Sequence, residues 1–205
     1  MKTSFWRTVS QIVFLALFTF LVVQGRVQAW IILLIAGALI SVFAGRIYCG
    51  WACPMGSLMR LQSFIYEKLP ISRIKAPKFL NNKFVRTLMV VAFFGGMVLV
   101  RRFGVKLNII VYLVVLGVGL SFIFTEELCH RICPHGTVLN IVGRLAPVGM
   151  KINTSDCTAC GLCQKVCPND AISGQGSEVR TIDSNECLAC FECQKACPTD
   201  AVKNN

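Results

Sequence analysis

The chain has 205 residues, of which 55% are hydrophobic and 15% charged, with a formal net charge of +11 and a mean hydropathy of +0.63. That balance is too apolar for an ordinary soluble domain and points to a membrane protein with a small soluble appendix. Residues 1–150 hold 16 Lys and Arg against 3 Asp and Glu, and residues 151–205 hold 5 against 7. No nucleic-acid-binding motif accompanies the basic tract, so we read it as loops facing a lipid surface.

In chain order, the first apolar run predicts a transmembrane helix over residues 8–24. It has the look of a signal peptide, with Val27-Gln28-Ala29 as a small-residue cleavage site. A second apolar run begins at once, which favours the transmembrane reading, and predicts a helix over 27–45. Further helices are expected over 84–101 and 106–125. Each run is near the 20 or so residues that cross a bilayer core. The two short connections make two helical hairpins.

Between the hairpins, Leu58, Leu61, Ile65 and Leu69 recur at helical spacing opposite Arg60, Gln62 and Glu67. This predicts an amphipathic helix over 57–69, lying in the interface or packed on the bundle. Residues 70–83 read as an irregular basic loop. The 46–86 segment carries Arg46, Arg60, Lys68, Arg73, Lys75, Lys78, Lys83 and Arg86 against Glu67 alone. By the excess of basic residues inside, this segment and both termini are expected on the cytoplasmic face. Arg101, Arg102 and Lys106 in the second short turn pull the other way with less charge.

Each hairpin ends in a cysteine motif, and the two match at an offset of 80. The first is CGWACPMGSL from Cys49 and the second CHRICPHGTV from Cys129. The shared pattern is C-x3-C-P-x-G-[ST]-[LV]. On a helix, residues four apart share a face, so each pair can present two sulfurs together. The following proline can open the next helix. Cys49, Cys53, Cys129 and Cys133 together suffice for one shared iron–sulfur cluster at the membrane surface. Redox-active dithiols, another metal or inert packing remain open. His130 and His135 are the only histidines. Both sit beside the second motif, which suits a supporting hydrogen bond or solvation better than a haem clamped between helices. Met55 and Met59, one turn apart beside Cys53, read as interfacial anchors or a soft copper site.

After a helical stretch over 137–145, short strands are expected near 151–153 and 178–182. They lead into two runs of C-x2-C-x2-C-x3-C-P. One holds Cys157, Cys160, Cys163 and Cys167, and the other Cys187, Cys190, Cys193 and Cys197. Residues 156–172 and 186–202 match at ten of seventeen positions. This is the spacing of a bacterial ferredoxin with two [4Fe–4S] clusters, in which the fourth cysteine of each run serves the other cluster. By that rule Cys157, Cys160, Cys163 and Cys197 hold the first cluster, and Cys187, Cys190, Cys193 and Cys167 the second. Structural zinc prefers widely separated C-x2-C pairs. All twelve cysteines fall in patterned groups, which favours a reducing compartment over disulfides. No dinucleotide fingerprint or P-loop occurs.

The paired C-x3-C-P motifs and the two-cluster ferredoxin resemble the NapH-type membrane ferredoxins of periplasmic nitrate reductase systems. They are also similar to the membrane part of NosR-type proteins of nitrous oxide respiration. The resemblance implies four transmembrane helices, a cytoplasmic ferredoxin and electron exchange with the quinone pool or a periplasmic partner.

The expected architecture is an all-α integral membrane four-helix bundle of two repeated hairpins over residues 1–149. A small α+β two-cluster ferredoxin domain over 150–205 follows. The expected function is an electron-transfer subunit of an anaerobic respiratory complex in the bacterial inner membrane. Its partners would be lipid, other subunits of that complex and a quinone or quinol, with no nucleic acid. The rival readings are a membrane ferredoxin that reduces copper during oxidase assembly and a redox sensor.

Overall fold

The computed structural model describes residues 2–69, 73–104, 109–146 and 149–204. Helix α1 spans Lys2–Val23 and α2 spans Trp30–Ala44, joined by a turn through Gly25 and a single 3-10 turn at Val27–Ala29. The short α3, Ile47–Trp51, follows α2 after the turn at Gly45 and Arg46. Helix α4 covers Pro54–Lys68 and α5 covers Lys83–Arg102. Helix α6 covers Ile109–Ser121, α7 Glu127–Ile132 and α8 Pro134–Val142.

Three helical stretches, Ser4–Val23, Val27–Ala44 and Lys83–Val100, are long and apolar enough to cross a membrane. Their outward faces are rich in large apolar side chains, among them Phe5, Ile32, Phe43, Val91 and Val98. The fourth predicted span is shorter than expected. Its described part, α6, has 13 residues, about 20 Å at 1.5 Å per residue. Residues 106–108, where the expected helix begins, lie outside the described residues.

At its other end, the helix stops because the chain finds another partner. The Ile74 N–H donates to the Ile123 carbonyl, and the Thr125 N–H donates to the Ile74 carbonyl. Part of the expected irregular loop is thus pinned to the segment after α6. Ala76 and Leu80 then bury against Leu128 of α7. The start of that loop, residues 70–72, lies outside the described residues.

Helix α4 packs against α1 and α6. It buries Ser57, Met59 and Ser63, whereas Leu61, Ile65 and Leu69 of the predicted apolar stripe face outward. The polar side earns its burial through partners: Arg60 donates to Gln11 of α1, and Arg73 donates to Ser63. An outward apolar stripe fits a helix lying against lipid.

The C-terminal unit has two antiparallel strand pairs. Strand β1, Met150–Ile152, pairs with β4, Val202–Asn204, in the register Lys151 opposite Lys203. Strand β2, Ile172–Ser173, pairs with β3, Thr181–Ile182. The helical turns α9, Leu162–Lys165, and α10, Glu192–Ala196, carry the third cysteine of each run. Met150, Cys163, Ile172, Cys193 and Val202 form the small core. The fold is mostly helical with a ferredoxin unit appended, and that unit docks directly on α1, α3 and α8 through the contacts below.

Candidate functional site

The two ferredoxin runs fold around two separate cavities. One is lined by Cys157, Cys160, Cys163 and Cys197. The other is lined by Cys167, Cys187, Cys190 and Cys193. These are the two crossed sets expected from the spacing. Among the described residues, no three His, Cys, Asp or Glu side chains converge tightly enough for a single metal ion.

The loops themselves fit an anionic cluster. Ala159, Gly161 and Asp170 have positive φ, and so do their repeat partners Ala189, Phe191 and Asp200. Left-handed residues between right-handed ones turn successive N–H groups inward, the arrangement that receives iron–sulfur sites. Five of these six residues are not glycine, and each costs of order 1–3 kcal/mol unless its surroundings demand it. The Ala171 N–H donates to the Cys167 sulfur at 3.3 Å. Burial pushes the Cys167 thiol up to about 11 and the Cys193 thiol up to about 12. Thiolates gathered in such a site require a cation.

The four cysteines of the helical half also come together. Each motif straddles a break between two helices rather than lying on one. Cys49 sits in α3, and Cys53 is the extended residue before α4, with φ −71° and ψ 120°. Cys129 sits in α7, and Cys133, with φ −63° and ψ 120°, precedes α8. The reason is the proline in each motif, which drives the preceding residue out of the helical region. The Cys53 thiol is pushed up to about 12, first by burial and then by the sulfurs of Cys49 and Cys133. Opposing this, the N–H groups of Gly56 and Met55 favour its thiolate. A hydrogen bond within the second motif pushes Cys129 up and Cys133 down, with His135 also favouring the Cys133 thiolate. Cys49 and Cys129 are buried and Cys53 and Cys133 half-buried, and their sulfurs act on one another across the two hairpins.

His135 therefore supports a motif sulfur, while its ring meets Phe93 edge-on at 4.9 Å. His130 is buried, and burial pushes it down to about 3, so it stays neutral. Met55 and Met59 turn into α6 at Gly117, where an added Cβ would meet the Met55 methyl. They serve packing in this arrangement.

The second ferredoxin loop lies on this quartet. Tyr48, Cys49, Leu139 and Leu188 form one buried cluster, with Cys53 and Cys190 packed against it. Gly50 allows the approach, since a Cβ there would stand 2.5 Å from the Leu188 carbonyl. The Trp51 indole donates to the Ala189 carbonyl at 2.9 Å and meets the Phe191 ring edge-on.

Comparison with known proteins agrees with the two halves. A family described as a 4Fe-4S binding domain matches residues 26–72 and 109–153, one stretch for each cysteine-ended hairpin. A family described as a 4Fe-4S dicluster domain matches residues 156–201. The chain carries ferredoxin-type [4Fe–4S]-binding domains. An uncharacterized protein, MJ0749 of Methanocaldococcus jannaschii, is 31% identical over 72% of this chain and 61% of its own. The putative electron transport protein YccM of Escherichia coli is 26% identical over 76% of this chain and 50% of its own. The methylamine utilization ferredoxin-type protein MauN of Methylorubrum extorquens is 27% identical over 75% and 61%. The chain thus spans between half and three-fifths of the length of these relatives.

Sequence reasoning missed the charged side chains at the docking face. Arg46 and Arg86 pair with Glu186, and Arg7 and Arg60 with Glu192. In the sequence alone Arg46 and Arg86 read as topology signals, and Arg60 also as the polar face of an amphipathic helix. A readable signal was Arg7 and Gln11, four residues apart in an otherwise apolar helix.

Proposed function

We propose that this protein is a membrane-embedded iron–sulfur relay that passes single electrons among three cluster sites. Two sites belong to the ferredoxin unit, each with the crossed cysteine set that lines its cavity. The third is shared by Cys49, Cys53, Cys129 and Cys133. Clusters, when bound, supply one-electron chemistry. The protein's part is to fix their spacing and to tune them by burial and by N–H groups near sulfur.

The observation that carries this reading is the packing of Leu188 and Cys190 against Cys49 and Cys53. It sets the second ferredoxin site beside the membrane quartet and leaves the first site at the outer end. There Cys160 is exposed, and Leu162 and Val166 turn outward. A soluble redox protein meets the chain at this end. The apolar helices cross the inner membrane, with the ferredoxin unit on the cytoplasmic side. Beyond the quartet, quinone or a partner subunit of a respiratory complex exchanges the electron. The names of YccM and MauN support electron transport as the broad role.

Iron and acid-labile sulfide analysis of the anaerobically purified full chain tests this reading. Three [4Fe–4S] sites predict about twelve irons, and a chain loaded only in the ferredoxin unit about eight. The smaller value in fully loaded protein contradicts the third site.

A further inference from the structure

The second cysteine loop of the ferredoxin is flanked by Glu186 and Glu192, and each carboxylate meets two arginines of the membrane half. Arg46 pairs with Glu186 at 2.7 Å and Arg86 at 2.5 Å. Arg7 pairs with Glu192 at 2.8 Å and Arg60 at 2.9 Å. The arrangement is mirrored in the motifs themselves. Arg46 also donates to the His130 carbonyl, and Arg7 to the Gly50 carbonyl. Gly50 and His130 are the residues after the first cysteine of each C-x3-C-P motif. One arginine on each side therefore ties a motif backbone to a ferredoxin carboxylate. Asn140 of α8 and Asn169 add hydrogen bonds to Glu186.

The first run makes one looser pair, Arg131 of α7 with Asp170 at 3.5 Å, and its loop lacks the doubly paired carboxylates. At the repeat offset of 30, Asp156 stands where Glu186 does, and Leu162 where Glu192 does. Asp156 takes its hydrogen bonds from neighbouring Asn153 and Ser155, and Leu162 is exposed. The two halves of an otherwise repeated unit differ at the residues that decide which one docks.

We propose that Glu186 and Glu192, with Arg46, Arg86, Arg7 and Arg60, form a two-sided clamp that holds the second ferredoxin site in one orientation on the membrane quartet. Exchange with a soluble partner is thereby confined to the first site. This rests on the reading that the quartet holds a cluster. Glu186 and Glu192 are positioning residues, since neither lines a ferredoxin cysteine cavity. Ion pairs with their charges taken out of water add little net stability, but they penalise every misplaced arrangement heavily. Such pairs suit a joint that must hold one geometry.

The test uses full-length protein, loaded anaerobically and reduced, as wild type and as the E186Q/E192Q double variant. The first readout is the spin–spin interaction between the second ferredoxin signal and the quartet signal in paramagnetic resonance. The second is amide hydrogen exchange over residues 186–192. The wild type should show the interaction. The double variant should lose it while keeping its iron, with exchange over the loop rising about tenfold. Asp156→Asn, the matching change in the first loop, should alter neither readout. If the double variant loses ferredoxin iron, single Glu192→Gln is read by the same two measures. Retention of both the interaction and slow exchange in the variants overturns the clamp alone. Absence of any quartet signal in the wild type overturns the reading beneath it.

Discussion

Arg46 is 1% exposed, and its guanidinium faces Glu186, the His130 carbonyl and Cys49. A buried charge that loses its only carboxylate costs about 3–5 kcal/mol, whereas loss of one of two partners costs much less. Glu186→Ala should therefore destabilise the protein by about that amount, and Arg86→Ala by about 1 kcal/mol, because Arg46 then keeps Glu186 paired. Thermal unfolding of the detergent-solubilised, loaded protein measures both; equal effects would contradict this asymmetry. A quieter case is Tyr48, whose hydroxyl accepts from the Trp30 indole at 2.8 Å inside the helical half. Tyr48→Phe leaves that buried N–H unpaired and should cost about 1–3 kcal/mol by the same assay, while a loss of under half that would place water at the indole. The cysteines were legible residue by residue, because cluster ligation demands fixed spacing. The arginines were not, because a basic residue near an apolar run serves topology as readily as an ion pair. Only the docked fold tells the two uses apart.

Helices were legible where their apolar runs were long, and their ends were read less well. The prediction put each C-x3-C on one helix, but Pro54 and Pro134 break it before the second cysteine. The signal was present in the rule that a residue preceding proline is extended. The end of α6 was not readable, because its stop depends on Ile74, nearly fifty residues away. The amphipathic stripe of α4 was found, but which face packs inward was set by Gln11 and Arg73, on other elements. Two glycines separate rigid from yielding contacts between elements. At Gly50 an added Cβ meets the Leu188 backbone carbonyl, and at Gly117 it meets the mobile end of Met55. Gly50→Ala should push the ferredoxin unit off α3 and cost about 1–3 kcal/mol, with Gly117→Ala costing less because a methionine re-rotates. Amide exchange in the 186–192 loop should rise for the first variant only; a rise for Gly117→Ala alone would reverse the assignment.

At the scale of the whole molecule, two cysteine-ended hairpins gather their motifs at one end, and a ferredoxin unit closes over them. The proposed topology, read from the distribution of basic residues, puts that end on the cytoplasmic side. Reporter fusions after Lys203 and within the turn at Gly25 should accordingly give opposite signals, and a periplasmic signal at the C-terminus would contradict the direction of the relay. The division into an apolar helical part and a ferredoxin was plain from composition and spacing. That the second loop and not the first would dock was not, since the two loops share their cysteines and differ in the side chains between them. The central claim is that the two membrane motifs build one site. Cys53 lies in one hairpin and Cys133 in the other, 80 residues apart. Paramagnetic resonance of the reduced full-length protein, compared with Cys53→Ser and with Cys133→Ser, tests this most directly. Both variants should lose the same single cluster signal and keep both ferredoxin signals. Loss of different signals in the two variants, or survival of all three signals in either, would contradict a shared site.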